Sequence, residues 1–288
     1  MDTALIERRE ALMLKRAPVS VIIPCYRCAD TIGRAIVSVM TQTQTPIEVI
    51  LIDDFSNDAA KTVTALEHLR QTYQNDAVSI KIVLLNQNCG PGSARNIGWE
   101  TSSQPYVAFL DADDMWHPKK LEIQYNWMAE NPNVVLTGHA SIKIATSDEL
   151  PKLPEKLITR CVGKYELLFT NCFITRSVML KRDISYKFFP NKRYAEDYLL
   201  WLTVVLNDQK ACLLNMTMAY SFKEEFGDGG LTGDLWAMQL GVLDTFQQLA
   251  KSGSISFCTF ILISIFSFFK YFRRLCVVKL RFLFSNIK

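Results

Sequence analysis

The sequence lacks an excess of either charge: Lys and Arg number 32 against 29 Asp and Glu, a net of +3. A nucleic-acid binder carries a concentrated basic face, so no nucleic-acid partner is expected. Histidine is scarce, and His68, His117 and His139 form no recognisable ligand pattern. Eight Cys in 288 residues are too few for a disulfide scaffold. Cys25-x-x-Cys28 lacks the second Cys pair or His partner of a zinc site and is read as two reduced structural thiols. Residues 1–17 form an N-terminal extension. Its first part carries Asp2, Glu7, Arg8, Arg9, Glu10, Lys15 and Arg16 without an apolar run, which excludes a signal peptide and points to the reducing cytosol. No internal repeat is present. With 49% hydrophobic and 21% charged residues, the composition excludes disorder and collagen and suits one globular core with a tail.

The first half alternates two periodicities. Val19–Ile23, Ile47–Ile52, Ile80–Leu85 and Tyr106–Leu110 are short, β-branched or apolar runs that read as buried strands. Between them, Thr31–Thr43, Ala59–Tyr73 and Ser93–Trp99 show helical spacing. Pro118–Asn131 follows as a helix, with Pro118 in its first turn. Strands separated by helices imply an α/β, doubly wound, mostly parallel sheet flanked by helices. Ligands of such sheets bind beyond the carboxyl ends of the strands. That places Pro24–Arg27, Asp53-Asp54, Asn86–Gly92 and Asp111–Asp114 on one rim. The second half is less regular: Leu150–Lys156 reads as a loop, Lys164–Phe169 as a short helix, Cys172–Thr175 as a strand, Glu196–Leu206 as a helix, Ala211–Tyr220 as a strand, and Leu235–Lys251 as a helix after the Gly-rich stretch Phe226–Gly233.

Four rim segments carry candidate chemistry. Asp111-Ala112-Asp113-Asp114 puts three carboxylates in four residues, a repulsive cluster unless a cation sits among them. Mg²⁺ and Mn²⁺ characteristically take one or two carboxylates together with substrate phosphates. The alternative is an acidic turn before the Pro118 helix. Asp53-Asp54 suits acceptance of a hydrogen bond from a base or sugar edge, or a helix cap. Asn88–Asn96, with Gly90 and Gly92, allows close backbone approach and offers Arg95 to an anion, or forms a tight turn. It lacks the third Gly of a dinucleotide fingerprint and the Gly-Lys-Ser/Thr of a P-loop. Glu196-Asp197 opens a helix, either as an ordinary dipole complement or as a general base for a hydroxyl nucleophile. Trp201 and Trp236 are core residues or platforms for a sugar ring.

In this order and spacing the motifs resemble the family 2 glycosyltransferases of the GT-A fold, from about Val19 to about Leu206. The matching stretches are Val-Ser-Val-Ile-Ile-Pro-Cys-Tyr at 19–26, Val-Ile-Leu-Ile-Asp-Asp-Phe-Ser-Asn-Asp at 49–58, Asn-Cys-Gly-Pro-Gly-Ser-Ala-Arg-Asn-Ile-Gly at 88–98, Phe-Leu-Asp-Ala-Asp-Asp-Met-Trp-His-Pro at 109–118 and Glu-Asp-Tyr-Leu-Leu-Trp at 196–201. The resemblance implies a catalytic domain over 18–225, with a nucleotide-sugar half to about 118 and an acceptor half beyond it. It implies that Pro24 and Tyr26 flank the base, Asp54 accepts from a uracil, Arg95 holds the nucleotide region, and Asp113 ligates Mn²⁺ or Mg²⁺ with Asp111 beside it. Asp197 becomes the base, with Glu196 its neighbour and Trp201 within the substrate site. Arg27 stands where the family usually has Asn, and Phe55 where Gly is common. The Gln-x-x-Arg-Trp motif of processive members is absent, which suggests one sugar per encounter. The implied reaction is inverting transfer from a nucleotide-sugar, a UDP-sugar by preference, to a saccharide hydroxyl. The competing classes are a metal-dependent phosphatase built on Asp111-x-Asp113, where Met115 stands in place of the supporting Thr or Val, and a non-catalytic assembly subunit.

Residues 226–251 are assigned to the Gly-rich stretch and its helix, and 252–288 to a membrane-associating tail. Ser252–Phe269 is uncharged and barely long enough to cross the hydrocarbon at about 1.5 Å per residue. Lys270, Arg273, Arg274, Lys279, Arg281 and Lys288 follow. Crossing would leave these cations outside, against the positive-inside rule, so a helix lying on anionic lipid is expected. That suggests the cytoplasmic face of the inner membrane and a lipid-linked acceptor, such as a polyprenyl-diphosphate saccharide of O-antigen, capsule or exopolysaccharide assembly.

Overall fold

A computed structural model describes residues 16–223 and 233–285. Strands β1 (Arg16–Cys25), β2 (Thr45–Asp53), β3 (Ser79–Leu84) and β4 (Tyr106–Phe109) are parallel neighbours in the order β3-β2-β1-β4. Helices α1 (Ile32–Met40), α2 (Lys61–Tyr73) and α3 (Pro91–Thr101) connect them. Their near-continuous apolar sequence follows from cover on both faces. Alternate residues point to opposite sides. Ile22, Ile50, Ile52 and Phe109 enter one core with Trp99, Phe188 and Trp201. Val21, Ile23, Val49, Leu51 and Ala108 enter the other with Ile36, Leu66 and Trp116. Gly98 is where α3 crosses the sheet most closely: a Cβ there would lie 2.5 Å from Ile22 Cγ2.

The chain continues through β5 (Met115–Trp116), α4 (Lys120–Glu130), β6 (Val134–Lys143), β7 (Thr159–Cys161), α5 (Lys164–Phe169), β8 (Met179–Lys181), α6 (Glu196–Leu206), β9 (Lys210–Ser221), α7 (Leu235–Lys251) and α8 (Phe257–Ser285). The full order is β3-β2-β1-β4-β8-β6-β9-β5, with β7 on β9. Antiparallel β8 joins β4 to β6, and β6 runs parallel to β9. The fold class is therefore the expected α/β layering, a parallel block extended by a mixed one.

Three local expectations are corrected. Cys172–Thr175 is not a strand; a 3-10 turn at Thr175–Ser177 follows it, leading into β8. Helix α4 starts at Lys120, beyond Pro118. Val134–Lys143, where no element is expected, is a strand that buries Thr137 and His139; buried polar residues hide the apolar signature. Cys161 and Cys212 form a disulfide across β7 and β9, while Cys25 and Cys28 are free and buried, as expected of structural thiols. Most of the Gly-rich stretch and the first fifteen residues lie outside the described residues.

Candidate active site

The carboxyl ends of β1, β2 and β4 and the start of α6 open into one cleft of about 880 Å³. It is lined by Pro24, Tyr26, Asp54, Arg95, Asp111, Asp113, Glu196 and Asp197. Eight of the nine site residues expected from sequence are thus brought together, from five separate segments. Trp201 is the exception. It is fully buried, edge-on to Phe188 at 5.8 Å, and does not line the cleft. It sits one turn deeper along α6 than Asp197, which carries it from the rim into the core. The sugar-platform reading of Trp201 is corrected.

Arg95 is the hub. Its guanidinium donates to Asp111 Oδ1 at 2.7 Å and to Glu196 Oε1 at 3.0 Å, linking the acidic turn after β4 to the first turn of α6. Arg95 is almost wholly buried. Loss of solvent opposes its charge, but the attraction of Asp111 and Glu196 prevails and raises its pKa further. Burial likewise tends to raise Asp111, yet Arg95, Arg176 and Lys223 hold it below the usual carboxylate range. Gly92 admits this contact: a Cβ there would lie 2.7 Å from Glu196 Cγ.

The rest of the acidic turn is also paired. Asp113 Oδ2 meets Lys223 Nζ at 2.5 Å, and its carbonyl accepts from Arg34. Asp114 is buried against Arg176 Nη1 at 3.0 Å. Burial and the neighbouring Asp111 charge push it up to about 7. Burial and the charge of Asp197 push Glu196 up to about 7 as well. Burial also raises Asp197, against the hydrogen bonds it accepts from Thr175 Oγ1 at 2.8 Å and the Tyr198 N–H at 2.6 Å. Asp54 accepts from the backbone N–H groups of Cys89 and Gly90 at 2.8 and 2.9 Å. It thereby fixes the loop that delivers Arg95. Gly90 takes φ +83°, a conformation that L side chains rarely adopt.

Sequence reasoning missed Thr175, Arg176, Arg34 and Lys223, which fasten Asp197, Asp114 and Asp113. None carries a local signal, because each acts across a long stretch of chain. The two departures from the family pattern acquire a physical meaning: Arg27 and Phe55 hold φ 49° and 57°, the left-handed region that Asn and Gly tolerate best.

Residues 20–188 match the sequence profile of glycosyl transferase family 2. The chain is 30% identical over 200 residues to the Escherichia coli UDP-Glc:alpha-D-GlcNAc-diphosphoundecaprenol beta-1,3-glucosyltransferase WfgD, covering 68% of this chain and 73% of that protein. Among solved structures it resembles Staphylococcus aureus TarS 1-349 in complex with UDP-GlcNAc, with TM-score 0.63 and 19% identity over 81% of this chain and 66% of that one. It also resembles the Pyrobaculum calidifontis mannosyltransferase PcManGT in complex with GDP-Man and Mn²⁺, with TM-score 0.60 and 17% identity over 82% of this chain and 65% of that one. The fold is that of the GT-A type, and the family match makes the chain a glycosyltransferase. The chain belongs to glycosyl transferase family 2.

Proposed function

We propose that the protein is an inverting, metal-dependent glycosyltransferase of bacterial envelope polysaccharide synthesis, moving one sugar from a UDP-sugar to a hydroxyl of a lipid-linked saccharide. The observation that carries this reading is the Arg95 bridge, which holds the acidic turn and the α6 carboxylates at one cleft. The WfgD relative, whose name gives UDP-Glc as donor and a diphosphoundecaprenol-linked sugar as acceptor, supports the substrate classes. The family supports the reaction.

In this reading Pro24 and Tyr26 bracket the base and Asp54 orders the loop beneath it. Asp197, held by Thr175 and the Tyr198 N–H, accepts the proton of the acceptor hydroxyl as that oxygen attacks the anomeric carbon. The bond to the diphosphate breaks on the opposite side, and configuration inverts. A raised carboxyl pKa brings this base closer to the operating pH.

The donor set suits a divalent ion shared with substrate. Asp113 is a hard oxygen ligand facing the cleft, already opposed by the Lys223 cation. Among the described residues no group of three or more His, Cys, Asp or Glu is arranged to hold an ion by protein alone. Mg²⁺ or Mn²⁺ bound through one or two carboxylates and substrate phosphates fits that supply. Asp113, with Asp111, would hold it, and it would neutralise charge on the departing diphosphate.

The decisive experiment screens nucleotide-sugars for metal-dependent release of nucleotide, with Asp197→Asn and Asp113→Ala beside the wild type. Asp197→Asn is expected to lower transfer by about 10²–10⁴-fold with donor affinity kept. Asp113→Ala is expected to weaken metal-dependent donor binding itself. Transfer by Asp197→Asn within tenfold of wild type removes Asp197 from the role.

A further inference from the structure

The three carboxylates of the turn after β4 face a cation that the chain itself supplies. Lys223 Nζ meets Asp113 Oδ2 at 2.5 Å. Partial burial opposes the lysine's charge. The hydrogen bond and charge of Asp113, joined by the charges of Asp111 and Asp114, prevail and raise its pKa. The ammonium thus sits in the combined field of the whole turn, where a divalent ion shared with a diphosphate would also be drawn.

The fold delivers Lys223 to that place. Strand β9 ends at Ser221, whose hydroxyl donates to the Lys223 carbonyl at 3.2 Å. Between them the Phe222 ring carries the Arg34 guanidinium 3.5 Å from its centroid. Arg34, on α1, also donates to the Asp113 carbonyl at 2.6 Å. One arginine therefore holds the chain on both sides of the ion pair, by stacking beside Lys223 and by a hydrogen bond at Asp113. The backbones are fixed, but the charged tips are not enclosed. The side chains of Lys223 and Asp113 are 42% and 34% exposed, against 15% and 1% for Arg176 and Asp114. Exposed ion pairs contribute at most about fivefold to an equilibrium constant. This ammonium therefore yields to an entering divalent ion at little cost, whereas the buried Arg95 and Arg176 stay in place.

The charge balance of the reaction gives the displaced ammonium a task. A sugar nucleotide carries about two negative charges on its diphosphate, which one divalent ion offsets. About one more develops there as the glycosidic bond breaks, and a positioned cation stabilises it. Lys223 lines the same cleft as Asp111 and Asp113 on a flexible four-carbon stem.

We propose that Lys223 and the divalent ion exchange at Asp113: the lysine neutralises the acidic turn until the donor enters with its ion, and then turns its ammonium to the leaving diphosphate. The inference rests on the glycosyltransferase reading and adds a donor-binding residue to it.

The test is calorimetry on the full chain with three probes: Mn²⁺ alone, UDP alone, and UDP with Mn²⁺. Lys223→Met keeps the apolar stem and removes the charge. It is expected to bind Mn²⁺ alone at least threefold more tightly than wild type, and UDP with Mn²⁺ at least tenfold more weakly, as loss of a charge-assisted contact does. Exchange demands these opposite signs, while a merely loosened site would lose both. Lys223→Arg should stay within threefold of wild type on every probe. Weaker or unchanged binding of Mn²⁺ by Lys223→Met overturns the exchange, and unchanged binding of UDP with Mn²⁺ overturns the turn to the diphosphate. A wild type that binds UDP as tightly without Mn²⁺ as with it also overturns the exchange, because the lysine would then be the permanent cation of the site. A wild type that binds UDP under neither condition sinks the glycosyltransferase reading instead, so the two failures are distinct.

Discussion

The two ends of the cleft solve opposite problems. Among the described residues the rim end gathers six carboxylates and ion-pairs four of them, Asp111, Asp113, Asp114 and Glu196, with Arg95, Arg176 and Lys223. The α8 end instead holds Lys270 through the Phe169 carbonyl, with no ion pair to it among the described residues. At the first end, geometry is fixed before any substrate arrives, as transition-state stabilisation requires. At the second, Lys270 ties α8 to the end of α5 through a backbone carbonyl. The lesson is that the acidic framework of the cleft is built from compensated charge.

Removing the hub should break that contrast most visibly. Arg95→Met leaves Asp111 and Glu196 buried without their partner, and breaking such a pair costs about 3–5 kcal/mol. A fall of that size in urea-unfolding free energy is expected. Lys270→Gln, which removes the hydrogen bond to the Phe169 carbonyl, should lower it by only about 0.5–1.5 kcal/mol. Similar losses at both ends would erase the distinction.

Next in size is the outer face of α8. Phe269→Glu/Phe272→Glu replaces two exposed rings that touch no substrate. Burying one Phe in an apolar phase is worth about 1.5–3 kcal/mol, so sedimentation with anionic vesicles should fall by at least tenfold. Folding stability should be unchanged. Vesicle binding equal to wild type would remove α8 from the membrane surface.

How legible these two ends were differs for a physical reason. The rim end is written in short motifs after parallel strands. Val19–Ile23 and Ile47–Ile52 announce themselves as apolar runs because helices cover both faces of that block. Pro24, Asp54, Asp111 and Glu196 are therefore placed by counting along the chain. The mixed block is assembled by long-range pairings, such as β6 beside β9 and β8 between β4 and β6, which no local period encodes. Thr175 and Lys223 reach the site through those pairings and were invisible. Trp201 was misassigned because Glu196–Trp201 forms one sequence motif, while one helical turn separates its rim from its core. The α8 cations were visible as a basic tail, but their position at the cleft was not.

The pH dependence sharpens the rim end further. With Glu196 pushed up to about 7 by burial and by Asp197, the pair retains a proton below neutrality. The base acts deprotonated, so kcat/KM should fall about tenfold per pH unit below an acidic limb that belongs to the pair. Glu196→Gln removes one of the two like charges, and the limb should move to lower pH. A limb that stays in place would dissociate Glu196 from the titration. The sign for folding is opposite. A carboxyl whose pKa is raised in the folded state contributes stability at low pH that is lost as pH rises through about 7. Urea midpoints should therefore decline from pH 5 to pH 7 less in Glu196→Gln than in wild type.

The smallest effect concerns the turn after β2, where this chain departs from its family. Phe55 holds φ 57°, and the left-handed region costs an L-residue about 1–2 kcal/mol. Its ring is half exposed at 50% and does not line the cleft, so little burial opposes a change. Glycine adopts the conformation freely but loses about 0.5–1 kcal/mol of chain entropy on folding. Phe55→Gly should therefore stabilise the protein by about 0.5–1 kcal/mol, read as a higher urea midpoint with an unchanged slope. UDP affinity should stay within twofold, since Asp54 is fastened by the Cys89 and Gly90 N–H groups rather than by its neighbour. A drop in UDP affinity with that gain in stability would make Phe55 part of the base pocket, its strain kept for contact with the donor.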